Sequence, residues 1–254
     1  MLTLWLAGCA PAGPAAPPKA PAPLRPTTFV LVHGAWGGGW DWQSVDRRLR
    51  ALGHDVRRPT LTGLGERVHL ARPEIDLSVH IEDIVNVVRF DDLSDVVLVG
   101  HSYGGMVITG VAERLPDRVR RLIYVDAFLP EDGESAASLL RSGGGGGFYD
   151  KMTRGDLLVP IWVKDGGSIP GDVPQPRRTF EEPIHLASAA ARALPASYIL
   201  TVDPGAAPEK DTFFRYAERA RARGYPVAQL AADHTPERSS PEALVALLVR
   251  EATR

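Results

Sequence analysis

Ser102 stands at the centre of Gly100-His-Ser-Tyr-Gly104, between an apolar run (Asp95-Val-Val-Leu-Val99) and a stretch of helical character (Gly105-Met-Val-Ile-Thr-Gly-Val-Ala-Glu-Arg114). A strand, a sharp turn and a helix in that order hold the apical hydroxyl clear of the sheet. The turn strains the backbone at its apex and leaves no room two residues to either side, which is where glycine stands. A serine so placed is a candidate nucleophile. Such chemistry also requires a general base, a carboxylate to orient that base, and two N–H donors for the oxyanion. A plain Gly/Ser turn ahead of a crossover helix accounts for the glycines but gives no reason for the serine.

The rest of the chain must supply a scaffold for that turn. Its 254 residues suit one α/β domain with a large core. A net charge of −2 argues against nucleic acid or an anionic membrane surface as a partner. Cys9 is the single cysteine, so the chain can build neither a disulfide framework nor a zinc cluster. Leu6-Ala-Gly-Cys9 follows a short apolar stretch and matches the pattern after which bacterial lipoproteins are cleaved and acylated on cysteine. The apolar run is short and no Lys or Arg precedes it, unlike an ordinary signal sequence. Residues 10–26 are nearly all Pro, Ala and Gly, the composition of an extended tether. The expectation is attachment to the bacterial cell envelope through a lipid on Cys9, with a cytoplasmic protein as the alternative.

From residue 27 onward, apolar runs alternate with helical spacing. Strands are expected at 28–33, 54–58, 95–99, 121–126, 197–201 and 227–231, and helices at 41–52, 77–88, 105–114, 212–223 and 241–252. This alternation predicts a parallel sheet with helices on both faces. Pro241 suits the first turn of the last helix, with Ser240 as its cap. Residues 130–195 break the rhythm with a five-glycine run at 143–147, six prolines from Pro160 to Pro195 and no clear strand. They predict an inserted cap with a helix of its own over 183–193.

His33-Gly34 after the first strand, Gly100-His-Ser-Tyr-Gly-Gly105, and a histidine between the last strand and last helix resemble the α/β-hydrolase superfamily over everything from about residue 27. Val32-His-Gly-Ala-Trp36 and Gly100-His-Ser-Tyr-Gly-Gly-Met106 are similar to plant methylesterases, hydroxynitrile lyases and related bacterial hydrolases. The resemblance implies the short, six-stranded form of the fold and the chain order nucleophile, acid, histidine.

Of seven histidines, only His185 and His234 follow Ser102. His234, just past the last strand, is the expected base, and His185 in the cap is expected to face substrate. His33 is expected to order the oxyanion loop, and His101 to pack beside the serine turn. Two aspartates end neighbouring strands. Asp203 occupies the position most superfamily members use, whereas Val119 to Pro130 looks like the segment that carries an earlier acid in haloalkane dehalogenases. Asp126 is preferred and Asp203 is the alternative. Asp233, next to His234, points away from it. The resemblance puts the oxyanion donors at the backbone of Ala35 and Tyr103. Trp36 and Phe128, with Trp40, Tyr103, Phe148, Trp162 and Phe180, are candidates for an apolar substrate pocket.

Serine at the nucleophile position argues against dehalogenase and epoxide-hydrolase chemistry. Similar hydroxynitrile lyases carry lysine and threonine where this chain has Thr235 and Gly34. The expectation is therefore a serine carboxylesterase acting on small to medium esters through an acyl-enzyme, without metal or organic cofactor. The alternatives are a binding or receptor protein on the same scaffold, a cofactor-free peroxidase, or a hydroxynitrile-lyase-like enzyme.

Overall fold

A computed structural model describes residues 26–163 and 169–254. Residues 1–25, with the Cys9 motif and all of the tether but its last residue, lie outside the described residues. The order begins β1 (Thr28–Val32), α1 (Gln43–Ala51), β2 (Asp55–Arg57), α2 (Leu77–Phe90), β3 (Val96–His101), α3 (Gly104–Arg114) and β4 (Val119–Val125). Next come α4 (Ala136–Ser142), α5 (Gly146–Met152), β5 (Thr153–Arg154), β6 (Leu157–Leu158), β7 (Gln175–Pro176), α6 (Arg178–Glu181) and α7 (Ala189–Arg192). The chain closes with β8 (Ala196–Val202), α8 (Phe214–Ala222), β9 (Val227–Ala231), α9 (Pro236–Ser239) and α10 (Pro241–Ala252).

Six strands form one parallel sheet in the order β2-β1-β3-β4-β8-β9. Side chains alternate across it and feed two cores. Phe29, Leu31, Val97, Val99, Ile123 and Val125 point to the face covered by α1 and α10, where they meet Trp42, Leu49 and Leu248. Val30, Val32, Leu98, Leu122 and Tyr124 point to the face covered by α2, α3 and α8. Burial on both faces explains why the strands read as unbroken apolar runs. Each such side chain is worth about 1.5–3 kcal/mol. Asp76 fixes the start of α2 by accepting the Val79 N–H at 3.1 Å. Among the described residues no helix is long and apolar enough to cross a membrane.

Three local expectations differ from the structure. Ser240 occupies the N-cap position of α10, but its side chain makes no capping hydrogen bond. The 130–195 stretch does contain strands: β5, β6 and β7 form a small antiparallel sheet. With two residues apiece, they are too short to show an alternating pattern. The helix expected over 183–193 shrinks to the single turn α7, capped by Ser188. The residues before it are drawn out by acidic side chains: the Leu186 N–H donates to Asp132 at 2.8 Å and the Ala187 N–H to Glu113 at 2.7 Å.

Candidate active site

Ser102 lies one residue past β3 with a φ of 51°, inside the left-handed region that a non-glycine residue rarely enters. The turn is locked from two sides, as the Ser102 N–H donates to the Val125 carbonyl and the Phe128 N–H donates to that of Ser102. A Cβ at Gly100 would stand 2.6 Å from the Gly104 carbonyl oxygen, and one at Gly104 would stand 2.7 Å from that of Val32. Both flanking glycines are thus steric requirements of the turn, which α3 continues directly.

Asp126 lies one residue past β4 in an equally strained conformation, φ 44°, and is fully buried. Its Oδ1 accepts the Thr201 N–H at 3.1 Å, leaving Oδ2 directed at His234. His234 follows β9, two strands away in the sheet. Its Nδ1 stands 2.6 Å from Asp126 Oδ2 and its Nε2 stands 3.0 Å from Ser102 Oγ. The Phe213 ring stacks on the imidazole at 4.7 Å. Asp203 is exposed; its carbonyl accepts the Ala206 N–H, and among the described residues no hydrogen bond or ion pair joins it to His234. Asp233 is engaged by Thr235 and Ser239.

Three more histidines surround this line, each held by bonds that define its proton. The Leu61 N–H donates to His33 Nε2 at 3.1 Å, so Nδ1 carries the hydrogen and donates to the Gly34 carbonyl at 2.8 Å. His80 Nε2 donates to the Thr62 carbonyl, and its bare Nδ1 accepts the Tyr103 hydroxyl at 3.0 Å. Burial pushes both His33 and His80 down to about 4, so these rings are neutral near pH 7. His101 donates from Nε2 to the carbonyl oxygen of His234 itself, at 2.6 Å. Among the described residues the backbone N–H groups of Ala35 and Tyr103 have no hydrogen-bond acceptor.

Residues 29–247 match the profile of the Alpha/beta hydrolase family. The chain belongs to that family. A 112-residue stretch is 53% identical to the carbendazim hydrolyzing esterase of Nocardioides sp. (strain SG-4G), covering 44% of this chain and 46% of that protein. Another, of 115 residues, is 31% identical to salicylic acid-binding protein 2 of Nicotiana tabacum, covering 44% of each. The chain thus spans just under half the length of these curated relatives in its matches. An extracellular α/β-hydrolase from a Paenibacillus species superposes with a TM-score of 0.73 at 25% identity, covering 89% of this chain and 98% of that one.

In this α/β-hydrolase, Ser102 and His234 open onto a cavity of about 570 Å³. Trp36, Phe128, Phe148, Trp162 and Phe180 line it, as does Ala35. Tyr103 instead is fully buried and stacks on Phe180 at 5.2 Å, and Trp40 lies under the Arg238 guanidinium. Neither lines the cavity. His185 is exposed and also absent from the lining, which corrects its expected role at the substrate: the irregular segment between α6 and α7 carries it to the surface.

The cavity also has a polar corner that the sequence did not reveal. Arg238 bridges Asp41 at 2.7 Å and Asp172 at 3.0 Å, while Asp172 also accepts the Trp162 Nε1–H at 2.8 Å. Burial raises the Asp41 carboxyl to about 6 despite the neighbouring arginine. Asp211, at the rim, is raised by burial and by the Asp126 charge.

Gln175 was missed as well. It is fully buried, its Oε1 accepts the Trp36 N–H at 2.9 Å, and its Nε2 donates to Thr179. The Trp36 carbonyl in turn accepts the Val173 N–H, and the indole Nε1–H donates to the Leu158 carbonyl. Trp36 holds a φ of 64°. The β4–β8 crossover therefore clamps every polar group of the residue next to Ala35. Among the described residues no group of three His, Cys, Asp or Glu side chains could hold a metal ion.

Proposed function

We propose that the protein is a serine carboxylesterase acting on small to medium esters. The observation that carries this reading is the hydrogen-bonded line from Ser102 through His234 to Asp126, opening on an apolar cavity. His234 Nε2 takes the Ser102 proton as Oγ attacks the ester carbon. Asp126 accepts the Nδ1–H and stabilises the imidazolium that forms. The carbonyl oxygen becomes an oxyanion that the free N–H groups of Ala35 and Tyr103 receive, a contribution of about 3 kcal/mol per donor in related chemistry. His234 then protonates the departing alkoxide, leaving an acyl group on Ser102. Water enters, gives its proton to His234 and attacks the acyl carbon. Collapse of the second intermediate returns the proton to Ser102 and releases the acid.

The aromatic walls suit an ester with a planar or branched apolar group. The Nocardioides relative, named an esterase, supports the same reaction class. Attachment through Cys9 is a separate part of the proposal, resting on the Leu-Ala-Gly-Cys pattern alone. Steady-state hydrolysis of short p-nitrophenyl esters by wild type and Ser102→Ala tests the reaction. Turnover that disappears in the variant supports it. Wild type that binds such esters without releasing nitrophenol would instead indicate a binding protein.

A further inference from the structure

Next to His234 the chain buries a second histidine–carboxyl contact, for which the proposed reaction has no use. His101 and Glu237 are only 4% and 1% exposed, and His101 Nδ1 stands 3.3 Å from Glu237 Oε1. His101 Nε2 lies 2.6 Å from the His234 carbonyl oxygen. A carbonyl cannot donate, so Nε2 carries a hydrogen. Among the described residues His101 Nδ1 and Glu237 Oε2 have no ordinary hydrogen-bond partner. A buried Nδ1 left without a partner 3.3 Å from a buried carboxyl oxygen is costly unless a proton lies between those two atoms.

That proton has two possible homes. On the imidazole it makes a buried ion pair, with Asp41 and Asp233 close to the carboxylate and a cationic ring whose centroid is 4.8 Å from that of His234. On the carboxyl it leaves a neutral pair with one unpaired carbonyl-type oxygen. Removing two ions from water costs more than leaving that oxygen unpaired. The other charged or titratable neighbours are Arg238, beside both groups, and His33, beside His101. Burial lowers His101 well below the usual imidazole range and raises Glu237 well above the usual carboxyl range, so both move towards the neutral pair.

We propose that Glu237 is a positioning residue for His234: its carboxylic acid donates to His101 Nδ1 and fixes the tautomer whose Nε2–H holds the His234 main chain. The inference rests on the reading of His234 as general base. Asp233 orders the same loop from its other flank by accepting from Thr235 and Ser239. The catalytic imidazole is thus carried on a backbone tied down both before and after it, and preorganisation of this kind is what general-base geometry demands.

The test compares Glu237→Gln, whose amide can still donate to Nδ1, with Glu237→Leu, which cannot. On a p-nitrophenyl ester, Glu237→Leu is expected to lower kcat by about tenfold or more, equal to ~1.4 kcal/mol of barrier, with KM little changed. Glu237→Gln is expected to restore most of the loss. Ring 15N spectra of wild type, with His101 assigned through His101→Gln, are expected to show a bare Nδ1 and a protonated Nε2. A doubly protonated His101 ring would overturn the proposal. So would a folded Glu237→Leu protein with wild-type kcat, or a Gln variant as impaired as Leu. The spectra need no turnover, so they decide the proton's place even if Glu237→Leu does not fold or the protein is not an esterase.

Discussion

Asp126 is fully buried at the end of β4, yet its Oδ2 lies 2.6 Å from Nδ1 of His234, whose side chain is 43% exposed beyond β9. A carboxylate anchored in the sheet thereby orients an imidazole that faces the cavity. Strand β8 lies between the two, and its Thr201 N–H holds the other carboxylate oxygen. The carboxylate is therefore fixed before the imidazole meets it.

Asp126→Asn should lower kcat by roughly three to four orders of magnitude, because an amide presents the imidazole with the wrong hydrogen-bonding pattern. Asp203→Asn, on an exposed turn, should leave kcat within about twofold, as surface substitutions commonly do. Ester hydrolysis by the two variants, measured side by side, checks this. Small and equal losses would remove Asp126 from the account.

Gln175→Ala should loosen the loop that carries Ala35. The Trp36 N–H loses its acceptor inside the protein, at a cost of about 1–3 kcal/mol in stability. A misplaced oxyanion donor should also lower kcat more than it raises KM. Thermal unfolding together with separate kcat and KM values gives the check. An unchanged kcat in a folded variant would show that the crossover clamp does not reach the reaction.

Stability should fall on mild acidification. His33 and His80 have pKa values lowered from 6.5 to about 4, so between those pH values the unfolded chain takes up protons that the folded chain refuses. Asp41, raised from 3.8 to about 6, acts in the opposite sense, since the folded chain binds its proton first. His101 and Glu237 offset each other in this window, because folding moves a proton from imidazole to carboxyl without net uptake. Two protons against one leave a net loss of up to about 1.4 kcal/mol per pH unit between pH 6 and 4 from these groups. Denaturant midpoints across that range measure it, and in a His33→Gln, His80→Gln double variant, where of these groups Asp41 alone still acts, stability should instead rise on acidification between pH 6 and 4.

Much of the sheet was legible because its central strands are buried on both faces and the crossover helices show helical spacing. The last strand and last helix fall at the residues their patterns indicate, 227–231 and 241–252. The proximity of Ser102 and His234 follows from strand order, since both leave the same edge of a parallel sheet. Asp126 and Asp203 could not be separated that way, because each follows a strand in that sheet. What separates them is three-dimensional: Asp126 is buried within 2.6 Å of His234 Nδ1, whereas Asp203 is exposed and makes no bond to that ring among the described residues. The crossover resisted reading because its strands are two residues long and Gln175 acts through tertiary contacts. Glu237 and Arg238 resemble ordinary surface residues of a helix start, and nothing local shows that one is buried against His101.

The central claim is that His234 activates Ser102 as a nucleophile. Reaction with diethyl p-nitrophenyl phosphate, followed by intact-mass analysis and peptide mapping, tests it most directly. One phosphoryl adduct per chain is expected, on Ser102, with esterase activity lost in proportion to labelling and little adduct in His234→Ala. Full ester hydrolysis with Ser102 unlabelled, or inhibition that tracks an adduct on another residue, would contradict it.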